Sequence, residues 1–166
     1  MSLEIHPASP TDAPELTEVF YASFRSDLDK TMFPKTPDVT EWWEKYLSDV
    51  ITGSIAGETN DVLFKVTEGS ENGGIVAFAK WKRPVPAADR DQHQEEIVWP
   101  ASSDKELCDR FFQGMEARHE KWMGDRPHYC TFSFFIFARL LLAVFRVSLY
   151  ACLFYSSSKY KTNRHN

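Results

Sequence analysis

Two runs of eight or nine residues, "DVLFKVTE" at 61–68 and "IVAFAKWKR" at 75–83, flank the turn "ENGG" at 71–74. Both alternate and are rich in β-branched and aromatic residues, and Asn-Gly favours the positive φ of a tight reversal, so they read as a β-hairpin. Ile75, Ala77, Ala79 and Trp81 fall on one face of the second strand, and Val76, Phe78, Lys80 and Lys82 on the other. A lone hairpin is marginal in water, so the rest of the chain must supply strands and helices to cover it.

The flanking sequence offers them. "LEIHPA" at 3–8 reads as a short strand ended by Pro7 and Pro10. "TDAPELTEVFYASFRSD" reads as a helix, with Asp12 capping and Glu15 answering three residues on. Its apolar face is Leu16, Val19, Phe20 and Phe24. "DLDKTMFPKTP" reads as a loop exposing Met32 and Phe33. A second helix begins near Pro37 and Asp38, carries Trp43, Tyr46, Leu47 and Val50 as its stripe, and stops at Gly53 and Gly57. After a polar loop over 84–100, "SDKELCDRFFQGMEARHEKWMG" is a third helix. Ser103 and Glu106 would cap it, and Leu107, Phe111, Met115 and Trp122 share a face. "RPHY" then begins a strand. The order implies a mixed α/β (α+β) fold, an antiparallel sheet flanked by helices.

Charge divides the chain unevenly. Residues 1–125 hold all 24 acidic side chains and all seven glycines, net −11, whereas 126–166 hold six basic and no acidic ones. An acidic body and six dispersed cations argue against nucleic acid as a partner. Cys108, Cys130 and Cys152 have neither C-x-x-C spacing nor an even count, which fits neither a disulfide framework nor a zinc site. No basic segment followed by an apolar run opens the sequence, so a cytoplasmic setting is expected.

Few residues carry chemistry on their own. Glu116 and His119 form a single Glu-x-x-His, which in one copy reads as a solvated helix face. No metal site and no catalytic residue is assigned. There is no G-x-S-x-G elbow, and Cys108 among apolar neighbours reads as a core thiol. Phe33, Trp42, Trp43 and Trp81 are the candidates for an aromatic pocket. Trp43 and Trp81 also read as core, while Phe33, placed in a loop, reads better as a pocket wall. Oligomeric state is left open.

"IHPASPTDAPELTEVFYASF", "IVAFAKWKRP" and "WPASSDKELCDRFFQGMEARHEKWMGDRPHY" together resemble the N-terminal half of a GNAT-superfamily N-acetyltransferase of the kind widespread in filamentous fungi. The resemblance covers roughly residues 3–129. It implies a mostly antiparallel sheet flanked by helices and transfer of acetyl from acetyl-CoA to a small-molecule amine by direct attack on the thioester. It also implies a strand from about Tyr129 that pairs with pantetheine, then a glycine-rich loop opening a helix onto the pyrophosphate. "CTFSFFIFARLLLAVF" stands there instead, without a glycine. No residue of the cofactor motif transfers, so acetyl-CoA binding and activity are not expected of this chain. "TGSIAGE" at 52–58 follows a helix and "ENGG" is a hairpin turn, so neither replaces the loop.

Residues 1–129 are thus read as the enzyme-like part and 130–166 as a hydrophobic, then basic, tail. Three readings of the tail stand side by side. It is apolar at 22 of 27 positions from Tyr129 to Tyr155, long enough to span a membrane, so membrane association through 130–155 is one. Arg139 and Arg146 oppose insertion by about 2.5–3.5 kcal/mol each, against about 0.3–0.6 gained per Leu, Ile, Val or Phe, a near balance. A second reading has it complete the core as strand or buried helix. The third has it translated from a retained intron or shifted frame that truncates the enzyme, because the family pattern ends within one residue of Tyr129.

Overall fold

The computed structural model describes residues 2–84, 97–124, 126 and 128–136. In chain order the elements are β1 (Leu3–Pro7), α1 (Ala13–Ser23), α2 (Asp27–Met32), α3 (Pro37–Ala56), β2 (Asp61–Glu68), β3 (Ile75–Lys82), α4 (Lys105–Met123) and β4 (Cys130–Ile136). The strands form one antiparallel sheet in the order β1-β2-β3-β4. The class is therefore the mixed α/β one expected.

Pleat alternation decides which face meets the helices. Leu63, Lys65 and Thr67 of β2 and Phe78 and Lys80 of β3 are buried on one face, with Leu63 opposite Lys80 and Lys65 opposite Phe78. Helices α1 and α3 cover it. Leu16 and Phe20 lie four apart on α1, and Trp43, Leu47 and Ile51 repeat every four on α3, so each helix presents one apolar stripe. Fully burying a side chain of this size contributes about 1.5–3 kcal/mol.

Two lysines sit under this roof, each with a partner. Lys65 Nζ donates to Asp12 Oδ1 at 2.9 Å. Lys80 Nζ donates to the Tyr46 hydroxyl at 2.7 Å and lies 3.3 Å from Asp61 Oδ2. Burial alone pulls the Lys80 ammonium down, but Tyr46 and Asp61 outweigh it and hold its pKa above the ordinary value.

Several local expectations are corrected. Asp12 and Glu15 do not cap α1 reciprocally. A 3-10 turn over Pro10–Asp12 precedes the helix, Asp12 Oδ2 accepts from Ser9 N at 2.7 Å, and Glu15 reaches away to the sheet. The loop after α1 contains the short helix α2, started by a Ser26–Asp29 capping box. Gly53 lies inside α3, and Gly57 ends it at φ 74°. In the hairpin the positive φ falls at Gly69 (81°), not at Asn72-Gly73. Gly73 is needed for closeness instead, since a Cβ there would stand 1.8 Å from Glu68 O. Asp104, not Ser103, caps α4, accepting from Leu107 N at 2.9 Å. The buried side of α4 is Cys108 with Leu107 and Phe112 against the core, whereas Trp122 is 71% exposed.

The first seven residues of the tail form β4, paired to β3 from Lys82↔Cys130 to Ala77↔Ile136. Among the described residues no helix is long and apolar enough to cross a membrane. Most of the span considered for membrane association, and the tail from 137 onward, lies outside the described residues, as does the loop over 85–96.

Candidate functional site

Phe20, Tyr21 and Phe24 gather at the C-terminal end of α1, and Phe33 follows the last residue of α2. The two helix ends enclose a groove of about 410 Å³, whose lining also includes Arg25, Asp29, Lys30 and Lys35. Its floor is aromatic: Phe20 packs edge-on against Phe33 at 5.9 Å and against Tyr21 at 5.3 Å, and stacks on Phe24 at 5.1 Å. Its rim is mainly cationic. Lys35 Nζ lies 5.3 Å from the Tyr21 ring centre and pairs with Glu18 at 2.7 Å. Burial pushes the Tyr21 hydroxyl up, and that hydroxyl lies 3.4 Å from Thr40 Oγ1. Such a groove suits a small ligand with an apolar body and a polar or anionic end.

The four pocket candidates from the sequence, Phe33, Trp42, Trp43 and Trp81, separate in space. Phe33 lines the groove yet is 6% exposed, so it is wall and core at once. Trp43 stands behind it, centroids 5.1 Å apart, at 8% exposure. Trp42, Trp99 and Phe112 extend the same cluster, with Trp42 Nε1 donating to Val98 O and Trp99 Nε1 to Asp109 Oδ1. Trp81 is not brought to it. It follows Lys80 on β3, pairs with Val62 and points to the opposite face of the sheet. Tyr21, Arg25 and Lys35 were missed. The signal for Tyr21 was the adjacency Phe20-Tyr21, which gives α1 an aromatic side beyond its core stripe.

Cys108 is fully buried, with Sγ 3.6 Å from Met32 O, and burial, helped by Asp104 and Asp109, pushes its thiol up to about 11. A thiol so placed is no nucleophile at neutral pH.

On the far side of the sheet order, β4 is the edge strand among the described residues. Its ladder to β3 slips between Lys80↔Ser133 and Trp81↔Thr131, leaving Phe132 as the extra residue of a bulge. Bulges turn a strand's backbone groups out of register and recur beside active sites.

A pyrophosphate needs a helix N-terminus free of negative charge. Every described helix has a carboxylate in its first turn: Glu15 in α1, Asp27 and Asp29 in α2, Asp38 in α3 and Glu106 in α4. Asp38 also accepts from Ser102 N, which lowers its pKa to about 2. These residues do not fit a CoA pyrophosphate. Among the described residues no three His, Cys, Asp or Glu side chains converge as a metal site.

No family profile and no curated protein matches the sequence. Solved structures do. The C-terminal condensation domain of Ebony, in complex with beta-alanyl-dopamine, superposes with a TM-score of 0.59 at 14% identity, over 92% of this chain and 69% of that one. A histone acetyltransferase HPA2-related acetyltransferase from Corynebacterium glutamicum aligns over 94% of this chain and 72% of its own, at 16% identity and a TM-score of 0.44. The PaiA N-acetyltransferase from Thermoplasma acidophilum, in complex with coenzyme A, aligns over 75% and 76%, at 14% and 0.33. The first of these likenesses establishes the fold: a mixed α/β domain with an antiparallel sheet flanked by helices.

Proposed function

We propose that the chain carries the acceptor side of an acetyl-CoA-dependent N-acetyltransferase and lacks the means to hold the donor, so that it is inactive as an acetyltransferase. The observation that carries the reading is the presence of two features in separate places, one on the helices and one on the sheet. An aromatic groove with a cationic rim lies at the α1–α2 end, and β4 is a bulged strand at the edge of the described sheet, the kind of strand to which an amide chain can add by backbone pairing. The first supplies a place for a small amine that also carries an apolar body and a polar or anionic group to meet the cationic rim. The second offers backbone N–H and C=O groups, but the acidic N-termini of the described helices and the absence of glycine from the sequence after Tyr129 argue against a pyrophosphate cradle. Support for the reaction class comes from the fold neighbour, a condensation domain bound to an N-acylated amine.

Calorimetric titration of the full chain with acetyl-CoA tests the proposal. No heat of binding is expected at micromolar concentrations. A measurable micromolar Kd, or release of free CoA thiol in the presence of simple amines, would overturn it.

A further inference from the structure

The charges around the α1–α2 groove sort themselves into pairs, with one of each sign left over. Lys30 Nζ lies 3.7 Å from Asp27 Oδ1, and Lys35 Nζ lies 2.7 Å from Glu18 Oε2. Arg25 and Asp29 remain, and both line the cavity. Among the described residues neither takes part in a salt bridge, with the other or with any third group.

Local backbone holds each of the two by one atom. Arg25 Nε donates to Ala22 O at 2.9 Å, so the terminal guanidinium nitrogens keep their hydrogens for another acceptor. Asp29 Oδ2 accepts from Ser26 N at 3.0 Å within the α2 capping box, while Oδ1 accepts no hydrogen bond among the described residues. A guanidinium fork matches a carboxylate through two parallel N–H···O bonds, and a carboxylate oxygen accepts from an ammonium. The remaining lining is mostly apolar, with Phe20, Tyr21, Phe24, Phe33 and Pro34. Aromatic side chains receive another ring edge-on or offset-stacked.

From this complement we infer that the groove is a binding site for a free aromatic α-amino acid. Its ring lies against the aromatic lining, its carboxylate on Arg25 and its ammonium on Asp29. The inference rests on the reading of the groove as an acceptor site and names the ligand class. One cation and one anion, in a cluster whose other charges cancel, match a zwitterion; a polyanion such as a nucleotide would meet a single uncompensated cation. A peptide terminus brings one of the two charges and leaves the other unmatched, so the free amino acid fits better than a chain end. Arg25 is exposed and Asp29 half-buried, so water and salt weaken both contacts. A ligand of this size is then expected to bind with a Kd on the order of 1 mM.

The test is titration of the ¹⁵N-labelled full chain with L-phenylalanine, L-phenylalaninamide, N-acetyl-L-phenylalanine and L-alanine, followed through amide chemical shifts. L-Phenylalanine should move amides of the α1–α2 region. The amide, which lacks the carboxylate, and the acetyl derivative, which lacks the ammonium, should each bind about fivefold more weakly or worse. L-Alanine, without the ring, should move nothing. Arg25→Gln should reduce L-phenylalanine to the affinity of its amide and leave the amide's own affinity unchanged, whereas loss of a merely structural arginine would weaken both alike. Asp29→Asn, which keeps an acceptor for Ser26 N, should likewise bring L-phenylalanine down to the acetyl derivative. Equal affinity for L-phenylalanine and its amide, or wild-type affinity in Arg25→Gln, would overturn the amino-acid site and leave the groove an acceptor site for amines. Absence of groove shifts with L-phenylalanine and with its amide would overturn both. The acetyl-CoA titration reports on the donor side and is independent of these results.

Discussion

Glu15 Oε1 accepts a hydrogen bond from the backbone N–H of Ile75 at 2.7 Å, joining the first turn of α1 to the first residue of β3 across 60 positions of sequence. Ile75 is buried, so its N–H has little water to turn to if the carboxylate is removed. Glu15→Ala is expected to cost about 1–3 kcal/mol, the penalty of a buried donor left unpaired. Glu15→Gln, which keeps an acceptor, should cost less. Urea unfolding of the three proteins measures the order, and equal midpoints for Ala and wild type would contradict the role given to this contact.

Asp12 and Lys65 predict an acid limb in stability. Burial raises the Asp12 pKa, but the Ser9 N–H and the Lys65 ammonium outweigh it and leave the carboxyl below its ordinary value of 3.8. A carboxyl depressed in the folded state stabilises fully above its unfolded pKa and loses that contribution as pH falls through the folded one. Stability should therefore fall below about pH 4, and Asp12→Asn should flatten that fall. Asp12→Ala strands a nearly buried ammonium and should cost on the order of 2–3 kcal/mol, somewhat under the figure for a fully buried pair. Thermal melts from pH 3 to 7 give both answers.

Phe33 contacts Phe20, Trp42, Trp43, Trp99 and Phe112, all within 6.3 Å between ring centres. Truncation to Ala leaves a hole that these rigid rings fill poorly, so Phe33→Ala should destabilise by about 3–5 kcal/mol. Phe33→Leu should recover much of this. If Ala is tolerated within 1 kcal/mol (a typical surface change is about ±0.5), Phe33 is a pocket wall rather than core.

Cys108 should resist thiol reagents. In a chain with Cys130 and Cys152 replaced by Ser, labelling at pH 8 is expected only after denaturant unfolds the protein. Prompt labelling of the native chain would show that the thiol is neither buried nor held near 11.

The sequence made some of this legible and hid the rest for identifiable reasons. The hairpin was readable because both strands alternate and their register, Asp61↔Lys82 through Val66↔Ala77, follows from the turn. Helix α3 was readable because Trp43 and Leu47 repeat at one spacing and Gly57 ends it, although Ile51 and not Val50 continues the buried stripe. Helix α2 was hidden by its length, since six residues show less than two full turns of periodicity, and its Ser26–Asp29 cap reads equally as a turn. Glu15 suited a local cap and is used at long range, a choice that tertiary contact alone decides. In the candidate site, Phe33 was found by its odd position and misjudged in burial, while Trp81 was misplaced because a strand residue's face depends on which side the helices cover.

The pairing of β1 with β2 has a consequence for how the chain is made. Leu3 lies opposite Glu68, so the first strand of the sheet must wait for 65 more residues before its partner exists. At about 5–20 residues per second on the ribosome, that is a delay of roughly 3–13 s. During it, α1 and α3 are available to each other but have no sheet to cover. The order of synthesis thus asks the two helices to hold Leu16, Phe20, Trp43 and Leu47 together first, and the sheet is assembled beneath them afterwards.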